Sequence, residues 1–183
     1  MISGKTIYLT PVSKDSLEKL RKWRNSPEVR KYFREHRGIN EDMQLRWYEN
    51  KVLSNPDQYD FEIRIGSAES SRGTLIGHCG LNYVDWINRR AEFTIYIGHK
   101  SYKGRGHGKD ALSTLLRYGF MTLNLNKIQC EVFANNKGAI KLYKKLGFVE
   151  EGIMREHQYD DGEYIDSMFM SILKSEWSAI NDQ

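Results

Sequence analysis

Three segments of different character follow one another between Ala91 and Phe120, and together they restrict the fold more than any other part of the chain. Ala91-Glu92-Phe93-Thr94-Ile95-Tyr96-Ile97 alternates apolar and polar residues, the period of a β-strand. Tyr102-Lys103-Gly104-Arg105-Gly106-His107-Gly108-Lys109 is a glycine-rich turn. Beyond it Ala111, Leu112, Leu115, Leu116, Gly119 and Phe120 recur at helical spacing. A strand therefore feeds a helix through a turn with glycines at alternate positions. Such a turn lets backbone N–H groups converge on one point. The helix adds the positive end of its dipole, and Lys103, Arg105 and Lys109 add charge. That geometry suits an anion, phosphate above all. The turn has neither the Gly-Lys-Ser/Thr of a P-loop nor the full dinucleotide fingerprint. A merely flexible turn before a helix is equally rich in glycine, so a second segment has to decide.

That segment runs from Ala134 to Phe148. It reads as a strand end, an Asn136 helix cap, about three helical turns and a Gly147 terminator leading into another strand. Lys103-x-x-Gly106-x-Gly108 resembles the pyrophosphate-binding Gln/Arg-x-x-Gly-x-Gly/Ala signature of the GNAT N-acetyltransferases, with Lys103 where Gln or Arg is usual. Asn136-x-x-Ala139-x-x-Leu142-Tyr143-x-x-x-Gly147-Phe148 resembles their second acetyl-CoA motif. The two motifs stand in the family's order.

The resemblance implies an α/β (α+β) fold with a mixed, mostly antiparallel central sheet flanked by helices and splayed open between the strands at Glu92 and Lys127. It implies acetyl-CoA as donor, wedged into the opening, with its pantetheine pairing against the backbone of Phe93, Ile95 and Ile97. The diphosphate would meet Lys103, Gly104, Arg105, Gly106, His107, Gly108 and Lys109, and Asn136 would both cap its helix and touch the cofactor. The implied reaction is direct attack by a primary amine in a ternary complex. A homodimer is a further implication.

Such chemistry sets its own demands. An alkylammonium has a pKa of about 10, so a base must accept its proton, directly or through water. The leaving thiolate benefits from a proton, and neither step needs a metal. Tyr143 is the candidate acid, since the matching family tyrosine points at the cofactor sulfur; the alternative is a core tyrosine beside Leu142 and Leu146. Glu92 is the candidate base, on a strand face shared with Thr94 and Tyr96; the alternative is an ion pair with Arg89 or Arg90. His78 and His99 read as ordinary polar positions.

The acceptor is less constrained. Trp23-Arg24-Asn25, Glu28-Val29-Arg30 and Trp47-Tyr48 resemble acetyltransferases acting on nucleotide-linked amino sugars. Arg89-Arg90-Ala91-Glu92-Phe93 and Tyr118-Gly119-Phe120 through Lys127 resemble spermidine acetyltransferases, and the whole resembles ribosomal-protein N-terminal acetyltransferases. Between Lys19 and Arg46 the basic residues outnumber the acidic ones, which favours a small, anionic or nucleotide-linked amine. Arg24, Arg30, Trp47 and Glu92 are then the acceptor-binding candidates. Protein N-termini and polyamines are the alternatives, and an acyl-CoA-binding regulator is the non-enzymatic one.

Length and composition add bounds. A chain of 183 residues with 39% hydrophobic content is expected to form one domain, 1–183, with a motif core at 90–150 and acceptor-side elements at 15–55 and 150–175. A net charge of +4, with acids interleaved among the bases, argues against nucleic acid. Cys79 and Cys130 offer no metal or disulfide spacing and read as buried reduced thiols. No run approaches about 18 apolar residues and the N-terminus has no apolar signal region, so no membrane association and a cytoplasmic location are expected. Strands are expected at Thr6–Thr10, Tyr59–Ile65, Thr74–Leu81 and Lys127–Phe133, with a polar turn over 67–73. Helices should start near Ser16 and at Asn40, the latter burying Met43, Trp47 and Val52. Phe148–Gln158 and Tyr164–Leu173 should form a last hairpin about Asp160-Asp161-Gly162-Glu163.

Overall fold

A computed structural model describes residues 1–66 and 73–181. Its strands are β1 (Ile2–Ser3), β2 (Tyr8–Pro11), β3 (Tyr59–Ile65), β4 (Thr74–Asp85), β5 (Arg90–Ile97), β6 (Lys127–Phe133), β7 (Val149–Asp160) and β8 (Glu163–Leu173). Its helices are α1 (Leu17–Asn25), α2 (Pro27–Arg30), α3 (Glu41–Trp47), α4 (His107–Arg117), α5 (Lys137–Lys145) and α6 (Lys174–Asn181). The strands make one eight-stranded sheet in the order β1-β2-β3-β4-β5-β6-β8-β7.

Six of its joins are antiparallel, and only β5 and β6 run parallel. That join is short: Arg90, Ala91 and Glu92 pair with Lys127, Ile128 and Gln129, and then the strands diverge. Both continue beyond the split, β5 to Ile97 and β6 to Phe133. The mixed, splayed α/β sheet expected from the motifs is the one observed.

Burial explains why the split holds its shape. Ala111, Leu112, Leu115 and Leu116 on α4 are at most 1% exposed and share one core with Leu81, Phe93 and Ile128. Full burial of each leucine contributes about 1.5–3 kcal/mol. After Arg117 the chain forms a π-helical turn, Tyr118–Thr122. Gly119 lets this turn lie close to the sheet, since a Cβ there would fall 2.7 Å from the Ile128 Cδ1. A smaller cluster of Val12, Leu17, Leu20 and Leu75, with Trp23 and Trp47 packed against it, seats α1 and α3.

Local signals mostly act as expected. Asn40 and Asn136 cap α3 and α5 by accepting from the amides of Met43 at 2.8 Å and Ala139 at 3.2 Å. Gly147 ends the α5 segment at φ 91°. Asp161 and Gly162 both have positive φ, as a two-residue hairpin turn requires. Both cysteines are buried free thiols.

Some elements differ. Ser16 does not cap α1 with its side chain; its hydroxyl lies 3.1 Å from that of Ser13. In α3 the buried residue is Gln44, while Met43 and Trp47 are only half-buried and line a cavity. β4 runs on to Asp85, bent by a bulge after Asn82. β1 and α6 are too short and too weakly patterned to read from sequence. Of the turn expected over 67–73, residues 67–72 lie outside the described residues. No helix among the described residues is long and apolar enough to cross a membrane.

Candidate active site

The parting of β5 from β6 opens a cavity of about 1000 Å³, walled by α1, α3 and the loop after α2 on one side and by α5 on the other. Its size suits a cofactor-sized ligand.

One end is built by the glycine turn. Gly104 and Gly106 have φ of 73° and 86°, and Gly106 is the N-cap of α4. Left-handed backbone is costly for residues with a Cβ, which explains glycine at both positions. A Cβ at either would meet nothing within 4 Å, so this backbone faces open space. Lys103, Gly104, Gly106, Gly108 and Lys109 line the cavity, as do Phe93, Ile95 and Ile97 of β5 and Asn136 of α5. Arg105 and His107 lie outside the lining. His107 turns instead toward the N-terminal segment, with Nδ1 3.2 Å from the Thr6 hydroxyl. Exposed amides, lysines and a helix N-terminus can hold a phosphate-bearing group.

Tyr143 lines the same cavity. It is 8% exposed, its ring edge-on to Phe93 at 5.1 Å and tilted against Phe148 at 5.7 Å. Burial, with nearby Cys130 as a lesser cause, pushes its phenol up from the ordinary value. The hydroxyl therefore stays protonated at neutral pH.

The other end is crowded with charge. Glu92 forms an ion pair with Arg34, not with Arg89 or Arg90; Arg90 goes to Asp85 at 3.3 Å. Arg34 also reaches Glu131 at 3.1 Å, and Glu131 accepts from Gln158 at 3.1 Å. Asp60 accepts from Gln58 at 2.6 Å and sits 2.9 Å from His78 Nε2. Hydrogen bonds from Arg37 pull the Glu35 carboxyl down to about 2. Arg24 lies 3.5 Å above the Phe33 ring and has no carboxylate at ion-pair distance among the described residues. Burial lowers its pKa, against the opposing influence of Tyr96 and Glu35. Trp47 meets His78 edge-on at 5.7 Å. Arg30, next to buried Val29 on α2, is not part of the lining.

Thus Glu92, Tyr143, Arg24 and Trp47 share one cavity with the glycine turn. Sequence reasoning missed Arg34, Asp60, His78 and Glu131. For Asp60 there was a signal: a charged residue in a strand with neighbours on both sides has to be satisfied by something inside the fold.

Comparison with known proteins places these features in a wider context. The acetyltransferase (GNAT) domain family matches residues 6–149. The spermidine N(1)-acetyltransferase of Vibrio cholerae is 33% identical over 146 residues, 75% of this chain and 84% of that protein. The uncharacterized N-acetyltransferase p20 of Bacillus licheniformis is 38% identical over 105 residues, 57% of this chain and 58% of p20. Among solved structures, the spermidine N-acetyltransferase of Vibrio cholerae in complex with CoA and spermine aligns with a TM-score of 0.86 at 28% identity, covering 94% of this chain and 98% of that one.

Proposed function

The chain belongs to the GNAT acetyltransferase family, and from that premise we propose that this acetyl-CoA-dependent N-acetyltransferase acts on a primary amine of a polyamine-like acceptor. The observation that carries the proposal is the charge of the acceptor end. Asp60, Glu92 and Glu131 line it, and among the described residues Arg34 is the one arginine or lysine at ion-pair distance from any of the three. Several carboxylates in a partly desolvated cleft favour an acceptor with more than one ammonium. The basic excess of the N-terminal segment, which favours an anionic acceptor, is neutralised in part within the fold. Arg21 and Lys22 pair with Glu18, Arg37 with Glu35, and Arg34 with Glu92 and Glu131. The names of the similar proteins from Vibrio cholerae point the same way.

The roles follow from position. The amides of Gly104, Gly106 and Gly108 hold the donor's diphosphate, with charge from Lys103 and Lys109. The unpaired edge of Phe93 to Ile97 aligns the pantetheine arm, and Asn136 faces it from α5. Glu92 takes the ammonium proton, directly or through water, and Tyr143 gives a proton toward the departing sulfur. Burial disfavours a naked thiolate as it disfavours a phenolate, so a phenol beside the sulfur eases its departure. Residues 1–183 act as one acetyltransferase domain, with donor contacts in 90–150 and acceptor contacts in 15–55 and 150–175.

A second reading rests on Arg24, the stacked cation without an acidic partner. It suits a phosphate or carboxylate and so keeps a nucleotide-linked amino sugar as the competitor. CoA release, measured side by side with spermidine, spermine, a nucleotide-linked amino sugar and an N-terminal peptide, decides between them. The polyamines should give the highest kcat/KM by about ten-fold or more, a margin of about 1.4 kcal/mol. Preference for the amino sugar or the peptide would overturn the proposal.

A further inference from the structure

We infer that Asp60, on the floor of the acceptor end, forms a subsite for a second ammonium group of the acceptor, remote from the amine that is acetylated. The inference rests on the polyamine reading and names the residue that would enforce it.

Asp60 lies on β3, and its side chain is 1% exposed although it lines the cavity. Its carboxylate accepts from Gln58, but no lysine or arginine among the described residues reaches it; its neighbour at ion-pair distance is His78. The His78 side chain is 7% exposed, and its Nε2, though 2.9 Å from the carboxylate, is out of line for a hydrogen bond and has no other hydrogen-bond partner among the described residues. Asn82 Oδ1, also bordering the cavity, is buried without a hydrogen-bond partner among the described residues. A buried carboxylate without a permanent cation is costly, and so is each orphaned acceptor. An ammonium has three N–H donors and no acceptor, so it complements both oxygens.

The sheet makes room for this arrangement. Asp60 pairs with Gly80 on β4, and a Cβ at Gly80 would stand 2.8 Å from the Asp60 Oδ1. Gly80 in turn pairs with Thr94 on β5, next but one to Glu92. β3 and β5 are two interstrand spacings apart, about 10 Å. The second nitrogen must therefore be several methylenes from the reacting one. Trp47 and Tyr96, both against His78, give the alkyl chain and its charge an aromatic wall.

The experiment compares spermidine with hexylamine, which has a primary amine and no second charge. Asp60→Asn removes the charge. Gln58→Lys leaves the carboxylate intact and sets a permanent ammonium where the Gln58 amide now donates. In both variants the ratio of kcat/KM for spermidine to that for hexylamine should fall about ten-fold or more. A ratio unchanged in both, whether the two rates fall together or not at all, overturns the subsite; if Asp60→Asn does not fold, the Gln58→Lys ratio decides alone. Should neither amine be acetylated, the polyamine reading has failed, and calorimetric titration of spermidine still tests the subsite. Binding to the wild type that both variants lose upholds it. Binding equal in all three proteins, or absent from the wild type, overturns it.

Discussion

Arg34 and Glu92 form an ion pair across the mouth of the cavity although 58 residues separate them in sequence. The same guanidinium reaches Glu131, so it ties together acidic groups on β5 and β6, the two strands that part beneath it. It stands where a cationic acceptor would have to bind. Arg34 is thus an internal competitor, and Arg34→Met should lower the KM for spermidine about three- to ten-fold at saturating acetyl-CoA. Stability should fall by about 1 kcal/mol, because the guanidinium is half exposed and only Glu131 is left buried without it. Initial rates across acceptor concentrations check the expectation. A raised KM would make Arg34 a group that orients Glu92 for the amine.

Tyr143→Phe keeps the ring that packs on Phe93 and Phe148 and removes only the hydroxyl. Turnover should drop about 100-fold, within the range for loss of a positioned proton donor. Acetyl-CoA affinity, measured by calorimetry, should change less than about two-fold, roughly 0.4 kcal/mol. An unchanged kcat would leave Tyr143 a packing residue.

Gly106→Val tests the turn. At φ 86° a β-branched residue is strained whatever space surrounds it, and the open space around Gly106 is what a ligand's approach requires. Acetyl-CoA affinity should fall more than about ten-fold, with a loss of about 1–3 kcal/mol of stability. Calorimetric titration and thermal melting read the two effects separately. Full affinity in a folded variant would remove the turn from donor binding.

The donor side of this fold is legible because its signals are local. The turn at Gly104 to Gly108, the cap at Asn136 and the stop at Gly147 each act within a few residues of themselves. The acceptor side is assembled across the sheet. Asp60, Glu92 and Glu131 come from three different strands, and no periodicity says that they face one cavity. Counting charge between Lys19 and Arg46 therefore suggests an anionic acceptor while Asp60, Glu92 and Glu131 lie elsewhere in the chain. Trp47 shows the same limit, since its spacing suits a core but α3 lies at the rim of the opening. Arg34 pairs with Glu92 instead of the adjacent Arg89 or Arg90 because a loop folds over the split.

Asp110 links the donor helix to the start of the chain and gives stability a pH dependence of known sign. In the first turn of α4 it accepts from the amides of Lys5 at 2.9 Å, Thr6 at 2.6 Å and Ile7 at 3.2 Å, and from the Thr6 hydroxyl at 2.9 Å. Burial by itself would raise its pKa, but the bonds from Lys5, Thr6 and Ile7 outweigh it and hold the carboxyl below the ordinary value of 3.8. A folded-state pKa below the unfolded one means stability that is present above the unfolded value and lost as pH falls through the folded one. Asp110→Asn should therefore destabilise the protein by about 1–2 kcal/mol at neutral pH. The gap between variant and wild type should hold down to the ordinary carboxylate range and close below it, as the wild-type carboxyl takes up its proton. Urea unfolding of both proteins at a series of pH values down to about 2.5 reads that gap directly. A gap of constant size across the series would mean that the amides need the second acceptor oxygen, which asparagine lacks, and gain nothing from the charge.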